Sequence, residues 1–290
     1  MAEFRVTARE SATRLESRSG AGVRAVRTAD GQAAYLKVTP AALGAQAVTA
    51  ARRELRFYQD LAPIAPVRTP ELLTCADTRD GVALLLAAAG EPRDAASWTA
   101  GRWAQLGREL ACLHSMPLPT GPDWHRPDAL RQALVDPDLA GINAFWAATL
   151  PELAALISRR VELADQIEAL PSVFTHGDCH PGNIVHAAGS LVFCDWQAAG
   201  VGRPGSDLAF LSVRAAPAGV TVPPALLDAY LDGRPGERHA LRRALVAEEL
   251  AILVFLWPPY AAFNSSSGIA RVRRRGRDLA GQWFDPPSPH

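Results

Sequence analysis

Two neighbouring stretches carry the side chains best suited to chemistry: Phe174-Thr175-His176-Gly177-Asp178-Cys179-His180-Pro181-Gly182-Asn183-Ile184-Val185, and Leu191-Val192-Phe193-Cys194-Asp195-Trp196. Asp178, Asn183 and Asp195 are the residues of interest. A carboxylate that accepts a hydroxyl proton, together with an amide oxygen and a second carboxylate that ligate a divalent cation, is the set that metal-assisted phosphoryl transfer requires. The apolar runs Ile184 to His186 and Leu191 to Cys194, joined by Ala187-Ala188-Gly189-Ser190, predict a hairpin. Such a hairpin returns Asp195 to the side of Asn183, so that two oxygen ligands converge on one Mg2+.

The spacing His176-x-Asp178-x-x-x-x-Asn183 is also that of a kinase catalytic loop. Upstream, Lys37 is the only lysine among the 30 Lys and Arg residues. A chain that otherwise uses arginine needs here a compact ammonium on a flexible stem. Lys37 lies in the predicted strand Ala33-Ala34-Tyr35-Leu36-Lys37-Val38, ahead of a predicted helix, Ala41 to Leu61, that contains Glu54. A strand lysine followed by a helix glutamate is the order in which an ion pair holds the lysine toward nucleotide phosphates. The small-residue turn from Ser17 to Gly22, including Ser19 and Gly20, is suited to laying backbone N–H groups over phosphates.

The elements that must hold these residues divide at about residue 90. Residues 4 to 38 read as β-rich, and Leu72 to Ala76 and Gly81 to Leu86 as two further strands. The run Ala87-Ala88-Ala89-Gly90-Glu91-Pro92 reads as a linker, and the rest is mainly helical. The expected domains are residues 1–89, with the linker at about 87–91, and residues 90–290. Expected helices are Ser97 to Met116 with Ser97 as N-cap, Ile142 to Leu150, Pro151 to Leu170, several over 223 to 257, and a basic Arg271 to Trp283. Asp207 is expected to open an apolar helix and cap its free N–H groups. Over residues 120–170, eight acids face four arginines, which predicts either ordinary solvated helix faces or an acidic wall for a cationic substrate.

Composition narrows the class. The 290 residues are 48% hydrophobic, enough to bury a full core, and the net charge is zero, which argues against a nucleic-acid binder. Four scattered cysteines without a CxxC pair read as reduced thiols of a cytoplasmic protein. No apolar leader and no spanning run are apparent, so no membrane association is expected.

The chain resembles the aminoglycoside phosphotransferase-like family of small-molecule kinases. The resemblance rests on Tyr35-Leu36-Lys37-Val38, Glu54, the Leu84 to Gly90 strand and linker, Leu113-His114, the run His176-Gly177-Asp178-x-His180-Pro181-Gly182-Asn183, Phe193-x-Asp195-Trp196 and Asp207-Leu208-Ala209. It implies an α+β, two-lobed protein-kinase-like fold, with a β-rich first lobe carrying one main helix. ATP or GTP is then bound between the lobes, with its base against the linker around Ala87 to Gly90, Ala87 and Ala89 in particular. Lys37, held by Glu54, meets the phosphates, Asn183 and Asp195 hold Mg2+, and Asp178 is the catalytic residue. His176, His180 and Asp207 support the loop. The implied activity is O-phosphorylation of a small polar hydroxylated molecule, an aminoglycoside or other cationic antibiotic first, with a sugar, amino sugar or amino alcohol as the alternative. A monomer or homodimer is expected.

Two positions depart from the family pattern. Gln197 stands where many relatives have a second acid, and the Gly-rich turn lacks the G-x-G-x-x-G of protein kinases. Two competing classes are a metal-dependent hydrolase built on His176, Asp178 and His180 with Cys194 nearby, and a non-catalytic nucleotide-binding protein. The first lacks a full ligand set in the sequence. The second conflicts with the complete set Lys37, Asp178, Asn183 and Asp195.

Overall fold

The computed structural model describes residues 6–8, 15–16, 22–234, 236 and 238–285. The strands are β1 (Val6–Ala8), β2 (Leu15–Glu16), β3 (Gly22–Thr28), β4 (Ala33–Pro40), β5 (Leu72–Thr78), β6 (Gly81–Ala87), β7 (Glu91–Pro92), β8 (Val173–Thr175), β9 (Ile184–Ala187), β10 (Ser190–Phe193) and β11 (Gly200–Gly202). The helices are α1 (Ala45–Arg56), α2 (Ala100–His114), α3 (Ala129–Val135), α4 (Leu139–Trp146), α5 (Leu153–Ser158), α6 (Arg160–Glu168), α7 (Pro204–Ala215), α8 (Pro224–Gly233), α9 (Arg238–Ala251) and α10 (Ser266–Phe284). By contact the chain divides into two compact units, Met1–Arg93 with Gly182–Ala199, and Asp94–Pro181 with Gly200–His290. The β9–β10 hairpin and Asp195, assigned by sequence order to the second domain, thus pack with the first unit.

The first unit is built on an antiparallel sheet of order β1-β3-β4-β6-β5, with β2 also on β3. Alternation along β4 sends Ala34 and Leu36 to a small core with Val26 and Leu85, and leaves Tyr35, Lys37 and Thr39 on the opposite face. Helix α1 packs on β4 and β6 and buries Val48, Ala51, Glu54 and Leu55, a helical stripe that includes a carboxylate. The predicted helix over Ala41 to Leu61 is shorter as a regular α-helix. Gly44, at φ 92°, starts it, and Phe57–Leu61 continues in a wider turn. In the β9–β10 hairpin both central residues, Ala188 and Gly189, have positive φ, as a tight hairpin turn demands. Phe57 stacks on Trp196 at 3.8 Å between ring centroids, and Phe193 N–H donates to the Arg68 carbonyl at 2.8 Å.

The second unit is mainly helical. Helix α2 lies so close on α8 that a Cβ at Gly107 would collide with the Leu226 carbonyl. Trp146 is fully buried in the larger core and donates from Nε1 to the Leu253 carbonyl at 3.2 Å. Strand β8 pairs with β11, which fixes where the chain enters residues 176 to 181. Helix α2 starts three residues later than predicted. Ser97 belongs to a short turn, its hydroxyl donating to the Asp94 carbonyl at 2.6 Å, and Thr99 is the cap, accepting from Arg102 N–H. The one or two helices predicted over 123 to 170 are four, α3 to α6. Among the described residues, no helix is long and apolar enough to cross a membrane.

Candidate active site

In the first unit the strand–helix order brings Lys37 and Glu54 together. Lys37 Nζ lies 2.7 Å from Glu54 Oε2 and 2.9 Å from Asp195 Oδ1, with Lys37 and Glu54 both buried. Burial acts most strongly on Lys37 and works against its charge, yet the two carboxylates outweigh it and its pKa lies above the ordinary lysine value. The ammonium is therefore held charged in a site largely closed to water. Asp195 adopts a left-handed backbone, φ 64°, a conformation few non-glycine residues take. The hairpin register is the reason it sits where it does. Phe193 pairs with Ile184, and Cys194 N–H donates to the Asn183 carbonyl at 2.8 Å, which sets Asp195 one residue from Asn183's neighbour. Arg53, on α1 next to Glu54, donates to the Gln197 carbonyl at 3.1 Å and pins the turn that follows. Sequence reasoning missed that role for Arg53, since an arginine on a helix gives no sign of a carbonyl so distant in sequence.

At the end of β6, Ala87 N–H donates to the Glu71 carbonyl and Ala88 N–H to the Ala33 carbonyl, each at 2.9 Å, so Ala87 is held by the sheet while Ala89 lies beyond it, partly buried. A Cβ at Gly90 would meet the His186 carbonyl, so the linker passes against β9 at a glycine. Ser19 and Gly20 lie outside the described residues.

In the second unit, Asp178 is partly exposed and flanked by two histidines. His180 Nε2 lies 3.8 Å from Asp178 Oδ1, and Asp178 N–H donates to His176 Nδ1 at 3.3 Å. Beneath them is Asp207, fully buried. It does not cap its own helix, as predicted, because Pro204 already begins α7 and Asp207 lies a turn inside. Its two oxygens accept instead from the backbone N–H groups of His176 and Gly177, both at 2.8 Å, and from His114 Nε2 at 3.1 Å. Burial opposes its charge, but these bonds and the two histidines prevail and its pKa lies below the ordinary aspartate value. His114 continues the chain through Nδ1 to the Tyr230 hydroxyl at 2.9 Å. Tyr230 had no sequence signal beyond its place in an apolar stripe. Gly177, at φ 79°, makes the turn that aims two successive N–H groups at one carboxylate.

A second buried network was not foreseen. Arg203, just ahead of α7, binds Asp128 and Glu248, the latter at 3.0 and 3.1 Å. Burial pushes the Glu248 carboxyl up to about 7 against the pull of Arg203. Half of the eight acids over 120–170 are engaged in caps and ion pairs. Asp128 caps α3 and pairs with Arg203, Asp138 caps α4, Glu162 pairs with Arg159 and Glu168 with Arg131. Both thiols near the site are inert, since burial raises the Cys179 pKa well above its usual value and that of Cys194 to about 12. Among the described residues, no group of three His, Cys, Asp or Glu could hold a metal ion.

This pairing of a sheet-based unit with a helical one is the fold of the protein-kinase-like small-molecule kinases. It is shared with an amicoumacin kinase in complex with AMP-PNP, Ca2+ and its antibiotic (TM-score 0.64, 14% identity, over 95% of this chain and 90% of that one). It is shared too with a spectinomycin phosphotransferase in complex with ADP and spectinomycin (0.58, 14%, 97% and 92%) and a choline kinase from Cryptosporidium parvum (0.63, 12%, 99% and 93%). No curated protein sequence matches significantly. The model of the phosphotransferase enzyme family matches residues 12–243, and the chain belongs to that family. It is a small-molecule phosphotransferase whose acceptor is a hydroxyl group.

Proposed function

We propose that the protein transfers the terminal phosphoryl group of ATP or GTP to a hydroxyl of a small polar molecule, with Mg2+ as the metal. The observation that carries this reading is the buried Lys37 held between Glu54 and Asp195 in a chain of the phosphotransferase family. In this reading the first unit binds the nucleotide and the second binds the acceptor. Lys37 presents its charge to the phosphates, with Glu54 fixing the direction of its stem. Asn183 and Asp195, two oxygen donors on neighbouring backbone, suit a hard cation that takes few protein ligands and completes its shell from phosphate and water. When bound, the cation neutralises charge on the transferred group. Asp178 accepts or orients the acceptor hydroxyl proton, and Asp207 fixes the backbone from which Asp178 projects. Gln197 contributes no charge, so one carboxylate, Asp195, serves the metal.

The acceptor we place first is an aminoglycoside or other cationic antibiotic, as suggested by two of the similar folds, which belong to antibiotic kinases. A specific observation favours a second reading, a sugar, amino sugar or amino alcohol: four of the eight acids over 120–170, Asp128, Asp138, Glu162 and Glu168, are engaged in caps and ion pairs, which reduces the charge left for an anionic wall. The test is a panel of aminoglycosides, peptide antibiotics, amino sugars and amino alcohols with ATP or GTP and Mg2+, read by mass spectrometry. Gain of one phosphate by an antibiotic supports the first reading, and gain only by a metabolite supports the second. Nucleotide binding without phosphate gain on any acceptor overturns both.

A further inference from the structure

The second unit contains a cavity of about 780 Å³ walled by α7, α8, α9 and α10. Neither Asp178 nor any residue of the 176–181 loop lines it, and none of the roles above uses it. Its volume falls within the range of small-ligand sites. One side of α9 forms its longest wall, and that wall changes character along the helix. At the outer end lie Arg238, Arg242 and Arg243, in the middle Leu245 and Val246, and at the inner end Glu249. The spacing 238, 242, 245, 249 is one helical face, distinct from the face of Leu241, Ala244 and Ala247 that is buried in the core.

The inner end is electrically closed. Glu249 receives Arg275 through both oxygens, at 2.7 and 2.6 Å, and the Ser212 hydroxyl at 2.5 Å. The mouth is not closed. Arg238 and Arg242 hold exposed partners, Asp232 and Asp228, in half-exposed pairs that water and salt weaken. Arg243 is exposed and has no ion-pair partner among the described residues. The cavity is therefore apolar in its middle, neutral at its base and cationic at its entrance.

We propose that this cavity is a binding site for an amphipathic organic anion, a carboxylate head on an apolar body, of which a free medium-chain fatty carboxylate is the occupant. The head lies at the mouth, where Arg243 gives it a charge-assisted bond, and the chain covers Leu245, Val246 and the apolar side of α8, removing that surface from water. A polar or cationic ligand gains nothing from the middle of the wall and is repelled at its end.

The test is titration calorimetry of the full-length protein with decanoate, and with decyltrimethylammonium as the cationic counterpart of similar chain length. Decanoate is expected to bind at one site and the cation not to bind. Leu245→Trp, which fills the cavity, should weaken decanoate by at least about tenfold, and Arg243→Glu, on an exposed side chain that folding does not require, by about fivefold. Phosphatidylglycerol vesicles form a third arm. Equal binding of both detergent-like ions, decanoate binding unchanged in Arg243→Glu, or binding to vesicles alone overturns the proposal.

Discussion

Lys37 and Asp207 are both buried ions, and they are satisfied in opposite ways. Lys37 faces two carboxylates on side chains, one on a helix and one beyond a hairpin. Asp207 faces two backbone N–H groups of a single turn and one histidine ring. A side-chain partner can rotate and be exchanged for another anion, whereas a backbone donor stays where the fold holds it. The first arrangement suits a group that must meet an incoming phosphate. The second suits a platform that keeps one side chain, Asp178, in place. On the proposed function, rigid support falls under the acceptor's base and exchangeable charge where the charged substrate arrives.

The sharpest separation of the two regions is Asp178→Ala. It should lower kcat by roughly 10³-fold or more while leaving nucleotide affinity nearly unchanged, measured by steady-state kinetics and calorimetry. Full activity in that variant would remove Asp178 from the reaction. Asp207→Ala attacks the platform itself. It leaves two backbone donors and His114 buried without their acceptor, and should cost about 3 to 5 kcal/mol in urea unfolding. A loss below 1 kcal/mol would show that the turn does not depend on that carboxylate.

The contrast extends to pH. Burial is the main reason Glu248 titrates at about 7 rather than near 4.5. Between those values the folded protein holds a proton that the unfolded chain releases, so this group's contribution to stability falls as pH rises through that window, by about 3 kcal/mol in all. Urea midpoints at pH 5 and pH 8 should therefore differ less in Glu248→Gln than in the unaltered protein, and identical differences would refute the assignment. The smallest expected effect lies on the exchangeable side. Glu54→Gln leaves Asp195 to hold Lys37, and should reduce kcat/KM by roughly 10- to 100-fold, with a raised KM for the nucleotide. A change in stability without a change in KM would make Glu54 structural only.

Much of the first unit was readable because its signals are local. Alternation marks β4, the turn residues Gly31 and Gly189 mark hairpins, and the hairpin register follows from the apolar runs around Ala188. The proximity of Lys37 to Glu54 needed only a strand, a helix and the stripe that buries Glu54. The second unit was harder. Its helices are apolar on wide faces, so their boundaries rest on which polar side chain happens to find a terminal N–H, and Thr99 won over Ser97 because Ser97 was drawn to Asp94. The position of Asp207 ahead of an apolar run suggests a helix cap, whereas the N–H groups it binds, those of His176 and Gly177, lie about thirty residues earlier.

The sequence by itself determined the residue types that phosphoryl transfer needs, their order, and the lone lysine, because chemistry demands particular functional groups and short-range spacing displays them. Only the tertiary structure decided that residues 182–199 pack with the first unit, that Asp207 serves the loop bearing Asp178 with His114 and Tyr230 behind it, that Arg53 pins the turn after Asp195, and that Asp128, Asp138, Glu162 and Glu168 are spent on caps and ion pairs. Each of those depends on contacts between segments far apart in the chain. Such contacts are fixed by packing and burial, and no local pattern records them.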